Sequence, residues 1–326
     1  MRHSVTSFRP RRLLGGGHRQ TIWAALQKPP PVTWQTKTVR LTLRDGDHAV
    51  LHDDQPSEWQ PGSPSLLLLH GLCGSHASSY MVRLALEFYR HGVRTFRMDM
   101  RGCGAAASLS ESVTHAGRGE DALDALHWIA QQTERGPLLA IGVSLGGNQL
   151  LRAVGTLSSE DAIGDIVRSR MQRVVTIAPP IDLLRCSQHM LRPGLRPYHW
   201  YFVSQLLRRV PPKVRQSPAF AQLDLRRRPR TIFELDDRIT APLAGFQDAV
   251  DYYQQCSSTD LLRCVEVPTL VLASEDDPLI PVAIFQDAMP SSQVDIQISH
   301  KGGHAGYLCN HGNRWLDGLL IRWLLA

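Results

Sequence analysis

Three residues far apart in the chain have the types and the order needed to cleave an acyl bond. Ser144 stands in Gly142-Val143-Ser144-Leu145-Gly146, a G-x-S-x-G set between a strand-like and a helix-like stretch. In that setting the serine occupies a sharp, strained turn with its hydroxyl exposed, and small residues are needed on either side. The helix that starts there brings a positive dipole end towards the reacting carbonyl. A serine hydroxyl is a poor nucleophile and needs a base. Of the 14 histidines, His304 in Lys301-Gly302-Gly303-His304-Ala305-Gly306-Tyr307 is the best placed, in a glycine-rich loop after the strand-like Val294 to Ile298. His300 is its nearby competitor. The acid that orients the imidazole should fall between serine and histidine in the chain. Asp277, in Asp276-Asp277-Pro278, follows the strand-like Thr269 to Ala273. Asp276 beside it and Asp182 at an earlier strand end are its rivals.

The same chemistry needs donors for the developing oxyanion. His70-Gly71-Leu72-Cys73-Gly74-Ser75 follows the first core strand. Its loop can turn the Leu72 N–H towards the substrate oxygen, beside the N–H of Leu145 that follows the nucleophile. His70 itself reads as a buried histidine bonded within its loop. Cys73 lacks the elbow setting of a nucleophile. Asp99-Met100-Arg101-Gly102-Cys103-Gly104 reads as a structural turn closed by an internal ion pair.

The elements that must position these residues alternate between short apolar strands and amphipathic helices. Strands are predicted at Ser65 to His70, Val93 to Met98, Leu138 to Val143, Val174 to Ile177 and Thr269 to Ala273. Helices are predicted at Ser78 to Arg90, Glu120 to Gln131 and Leu145 to Val154. This is the pattern of an α/β fold with a mostly parallel central sheet and helices on both faces. Residues 1–60 read as an irregular lead-in packed on the core, with one strand at Thr36 to Leu43. Its Gly15-Gly16-Gly17 is not a phosphate loop, because no Gly-Lys-Ser/Thr follows. Residues 61–182 and 256–326 form the core. Residues 183–255 are too long for a bare loop and read as a helical lid insertion over the carboxyl edge of the sheet. Its Tyr198-His199-Trp200-Tyr201-Phe202 is either a wall for an acyl chain or plain packing.

The 326 residues carry 36 Lys+Arg against 30 Asp+Glu, with only four lysines among the cations. The densest cluster, Arg226-Arg227-Arg228-Pro229-Arg230, has no nucleic-acid motif beside it and reads as a solvated face. No apolar run approaches the roughly 20 residues that cross a bilayer, and no signal peptide is visible. The six cysteines include no C-x-x-C pair, which fits reduced thiols in a cytoplasmic protein. His300 and His304 have an i, i+4 spacing, but two intervening glycines spoil a helix, so no metal site is expected. No cofactor is called for, and the oligomeric state is left open.

Several segments together resemble the α/β-hydrolase superfamily, and within it the YheT-like esterases (AB-hydrolase family four). They are Gly17-His18-Arg19-Gln20-Thr21-Ile22-Trp23, the 70–75 loop, Arg101-Gly102-Cys103, Gly142 to Asn148, Phe233 to Thr240, Asp251-Tyr252-Tyr253, Asp276-Asp277-Pro278 and Gly302-Gly303-His304. The resemblance implies nucleophile, acid and base at Ser144, Asp277 and His304. It also implies carboxylic-ester hydrolysis. Ala105-Ala106-Ala107 departs from the more polar residues of relatives there. The expectation is therefore a serine esterase for short- to medium-chain acyl esters or lipid-like substrates. An acyltransferase with the same acyl-enzyme, or a binding protein that kept the fold, are the alternatives.

Overall fold

The computed structural model describes residues 8–133, 135–157, 162–310 and 314–326. Eight strands form one sheet in the order β1-β2-β4-β3-β5-β6-β7-β8. They are β1 (Lys37–Thr42), β2 (His48–Asp54), β3 (Ser65–Leu69), β4 (Arg94–Asp99), β5 (Leu138–Val143), β6 (Met171–Ile177), β7 (Thr269–Ser274) and β8 (Val294–Ser299). The β1–β2 and β2–β4 pairings are antiparallel, and every other pairing is parallel.

Side chains alternate across a strand, so the continuous leucines of β3 serve two cores. Leu66 and Leu68 point to the side covered by α2 (Ser79–Tyr89) and the C-terminal helix Arg314–Leu324. Leu67 and Leu69 point to the side covered by α3 (Gly119–Gln132) and α4 (Leu145–Gly155). All four are fully buried, and each contributes about 2 kcal/mol of transfer free energy. A strand buried on both faces loses the alternation that usually marks a strand, and this explains the apolar runs of the central strands.

The lead-in holds more regular structure than its sequence pattern suggests. Gly17–Leu26 forms α1, and β2 joins β1 to the main sheet. The β2 sequence ends His52-Asp53-Asp54, which looks like a polar loop. In the fold these acids are buried and ion-paired. Arg94 donates to both Asp53 carboxylate oxygens at 2.9 and 2.7 Å, and Arg97 to both of Asp54 at 2.6 and 3.0 Å. Bidentate pairing offsets the desolvation that would otherwise exclude them from a core.

Helix α5 (Ala162–Arg170) leads into β6. Residues 183–255, between β6 and β7, are largely helical. They include α6 (Leu183–Met190), α7 (Arg196–Arg208), a π-helical turn at Asp236–Thr240 and most of the helix Ala249–Cys256. Of the aromatic stretch on α7, His199 is buried, while Tyr198 and Phe202 pack against the core. Trp200 is 71% exposed and Tyr201 45%.

Candidate active site

β5 runs directly into Ser144, whose backbone takes φ 53° and ψ −119°. A non-glycine residue holds such a conformation at a cost of about 1–3 kcal/mol, so its surroundings must impose it. The Ser144 N–H donates to the Ile177 carbonyl at 2.8 Å, and its own carbonyl accepts from Gly147 and Asn148 at 2.8 and 3.1 Å. The turn is too close to the neighbouring strand end for any side chain at position 146. A Cβ on Gly146 would lie 2.5 Å from the His70 carbonyl oxygen.

The structure brings the three sequence-predicted residues together. The Ser144 hydroxyl donates to His304 Nε2 at 2.9 Å, and His304 Nδ1–H donates to Asp277 Oδ2 at 2.9 Å. A carboxylate only accepts, so the Nδ1 proton is assigned from this contact and Nε2 is left free to take the serine proton. The second Asp277 oxygen accepts the N–H groups of Leu279 and Ile280 at 2.8 and 3.0 Å. The Asp277 carboxylate is 2% exposed and the His304 ring 13%, so the contact chain lies at the edge of the interior.

The rivals have other partners. Asp276 Oδ1 accepts the Gly303 N–H at 2.8 Å and shapes the histidine loop from outside the contact chain. Asp182 caps α6 by accepting the Arg185 N–H at 2.9 Å. His300 is largely exposed and pairs with Glu275.

The 70–75 loop lies against the serine, where a Cβ on Gly71 would be 3.1 Å from the Ser144 Cβ. His70 is buried, and burial holds its ring below the usual histidine pKa. In its neutral form Nδ1–H donates to the Gly71 carbonyl at 2.8 Å, and Nε2 accepts from the Met100 N–H at 3.4 Å. Leu72 and Leu145 join one apolar cluster. Leu145 begins α4, so its N–H is among those that a helix leaves without an intrahelical acceptor. Burial pushes the neighbouring Cys73 thiol up to about 12, and a protonated thiol is a weak nucleophile.

The Asp99–Arg101 turn differs from the expected internal ion pair. Arg101 reaches away to Asp121 at 2.6 Å and Asp45 at 2.7 Å. Asp99 is held instead by two histidines, accepting from His52 Nε2 at 3.0 Å and from His76 Nδ1 at 2.7 Å. These bonds, with that from the His76 N–H at 2.6 Å, hold the Asp99 carboxyl far below the usual range and tie down the far end of the 70–78 loop. The two imidazoles stack with centroids 3.4 Å apart and planes 14° apart. An ion lies in the plane of each imidazole that binds it, and rings stacked this way cannot both aim at one ion. The trio therefore acts through its hydrogen bonds.

A sequence profile of the alpha/beta hydrolase family matches residues 66–313, the segment that contains all three contact residues. The chain belongs to the alpha/beta hydrolase family. It is 31% identical to YheT of Escherichia coli (strain K12), covering 98% of this chain and 94% of that one. It is 24% identical to the human phospholipase ABHD3, over 90% of this chain and 71% of that one. Among solved structures, the Pyrococcus furiosus esterase Pf2001 has the same fold, with a TM-score of 0.57 at 14% identity, covering 92% of this chain and 96% of that one.

In this hydrolase the histidine loop is built against α1, a contact that strand and helix patterns do not reveal. The His304 N–H donates to Thr21 Oγ1 at 2.9 Å. The buried Gln20 amide donates to the Leu14 and Leu308 carbonyls at 2.7 and 3.1 Å and accepts the Leu308 N–H at 2.7 Å. A Cβ on Gly17 would collide with the Asp276 carbonyl oxygen. The Gly17-to-Trp23 segment, legible in the sequence as a motif without a role, thus braces the loop that carries His304. On the other side, Asn148 Nδ2 donates to the Ala116 and Cys256 carbonyls at 3.0 Å each, fixing α4 to the helix Ala249–Cys256.

Proposed function

We propose that this alpha/beta hydrolase is a serine esterase in which Ser144, His304 and Asp277 act as nucleophile, base and orienting acid. The observation that carries the reading is the unbroken contact chain from Ser144 Oγ through both ring nitrogens of His304 to Asp277. Ser144 Oγ attacks the ester carbonyl as its proton passes to His304 Nε2. The N–H groups of Leu72 and Leu145 receive the oxyanion, and the alcohol leaves with the proton from His304. Water, deprotonated by His304, then cleaves the acyl-enzyme and releases the acid. Asp277 keeps the Nδ1 proton in place and stabilises the imidazolium at each stage.

The substrate class in this reading is an ester or lipid-like molecule with a short- to medium-length acyl chain. Kinship with a protein named phospholipase supports the lipid-like part. An apolar cavity of about 70 Å³, bordered by Leu72, Leu206, Leu207, Leu235 and Ile239, supports the acyl part. In the same reading residues 183–255 serve as a lid, because Arg209 at the end of α7 donates to the Cys73 carbonyl in the oxyanion loop. A cytoplasmic location is supported by six unpaired cysteines.

The test is covalent labelling. A fluorophosphonate probe is expected to modify Ser144 in the native protein and to leave Ser144→Ala unlabelled. Undiminished labelling of that variant would overturn the assignment.

A further inference from the structure

The charges of this chain are unevenly distributed. Residues 1–44 and 183–223 contain sixteen of the 36 cations and none of the 30 acids, so the rest of the chain has twenty cations against 30 acids. The two acid-free segments meet in the fold. His18 of α1 stacks on Tyr198 of α7, and their polar atoms lie 3.0 Å apart. Lys213 and Arg185 reach acids elsewhere. Arg12, Arg19, Arg192 and Arg196 are exposed and form no ion pair among the described residues.

The same two segments carry exposed apolar side chains. Eight of the thirteen large apolar residues exposed among the described residues lie in them, including Leu13, Ile22, Trp23, Leu26, Trp200 and Tyr201. Arg19, Trp23 and Leu26 follow one another at helical spacing along α1. The buried Gln20 and the half-buried Thr21 lie on the side that grips the histidine loop. Trp23 is 55% exposed and Trp200 71%. Next to these residues is an open depression of about 470 Å³ bordered by Arg12, His18, Arg19 and Lys301.

We propose that the α1–α7 face docks on an anionic phospholipid bilayer, with tryptophans and aliphatic side chains at the headgroup boundary and arginines on the lipid phosphates. Exposed aromatic and aliphatic residues interleaved with unpaired cations are the composition of an interfacial surface. A second copy of the chain is a poor occupant, because a two-fold contact would set this cationic patch against itself. A single-stranded nucleic acid would use the arginines and the rings but would leave Leu13, Ile22 and Leu26 without a role. Docking in this way brings the bilayer to the helix that holds His304.

Vesicle flotation with the full chain tests the proposal and reads binding apart from catalysis. Partitioning into phosphatidylcholine vesicles containing 30% phosphatidylglycerol is expected to exceed that into phosphatidylcholine alone by about a hundredfold or more, since each of the four unpaired cations near the surface is worth about fivefold. Arg12→Gln with Arg19→Gln should lower partitioning by about 25-fold. Trp23→Ala with Trp200→Ala should lower it by about tenfold, with the melting temperature retained. Arg226→Gln with Arg227→Gln, outside the two acid-free segments, should lower it by less than about threefold. Absence of anionic-vesicle binding would overturn the proposal, and so would binding indifferent to the α1–α7 variants. Tighter, competing binding of a 30-nucleotide single strand, or a dimer that Trp23→Ala dissociates, would also overturn it.

Discussion

Asp277→Asn tests whether the acid works by fixing a tautomer, and the structure dictates what the amide must do. Asp277 Oδ1 accepts two backbone N–H groups, from Leu279 and Ile280. An asparagine there keeps both bonds only if its carbonyl oxygen takes that side. Its NH₂ group must then face His304 Nδ1, which has to become the acceptor, so the ring proton moves to Nε2 and points at Ser144. In that tautomer the imidazole cannot take the serine proton. Turning the amide over would set its NH₂ against two N–H donors inside a buried site, a loss of about 1–3 kcal/mol for each unsatisfied group. The expected outcome is a fall in kcat of about 10⁴-fold, or about 5 kcal/mol of barrier. The melting temperature should change little, because the two backbone bonds survive. Asp276→Asn keeps its bond to the Gly303 N–H through the amide oxygen and should lower kcat by less than about fivefold. Initial rates on p-nitrophenyl acetate, with calorimetry on the same preparations, decide between these outcomes. Asp277→Asn within tenfold of the native rate, or a thousandfold loss in Asp276→Asn, would refute the reasoning.

Thr21→Val removes the acceptor of the His304 N–H and should lower kcat by about fivefold with KM unchanged, the worth of one hydrogen bond. Burial raises the Asp236 carboxyl from 3.8 to about 6. The folded state therefore holds this proton longer than the unfolded chain, and this contribution to stability is lost as pH rises from about 4 to about 6, by about 3 kcal/mol. Asp236→Asn should accordingly raise the melting temperature at pH 8 and change it little at pH 4. Mass spectrometry after iodoacetamide treatment at pH 8 should find Cys73 almost unmodified, because a thiol pushed up to about 12 reacts about a thousandfold more slowly than an ordinary one. Since Trp200 is turned outward, Trp200→Ala should leave kcat/KM for soluble p-nitrophenyl esters within about twofold at every acyl length.

Local rules were sufficient for the central strands and for Ser144. A G-x-S-x-G set between a strand and a helix is a short-range signal, although the crowding that requires glycine at 146 comes from Leu69 and His70 at the end of β3, far away along the chain. The order serine, aspartate, histidine and their positions at strand ends could be read directly, and β5, β7 and the loop after β8 do deliver them to one place. The sequence favoured Asp277 over Asp276, but spacing alone does not separate the two. They are adjacent after the same strand, and only the turn geometry decides which faces His304 and which faces Gly303. β2 was hidden because its acids match arginines on β4, some forty residues later, and polar letters in isolation read as loop. The role of α1 was hidden for the same reason at greater range. Thr21 and His304 are 283 positions apart, and a hydrogen bond between them leaves no trace in periodicity or propensity. Pattern along the chain therefore determined the central strands, the strand–helix turn at Ser144 and the catalytic candidates. Contacts between distant segments decided which candidate touches which, because hydrogen bonds and ion pairs depend on distance in space and not on distance along the chain.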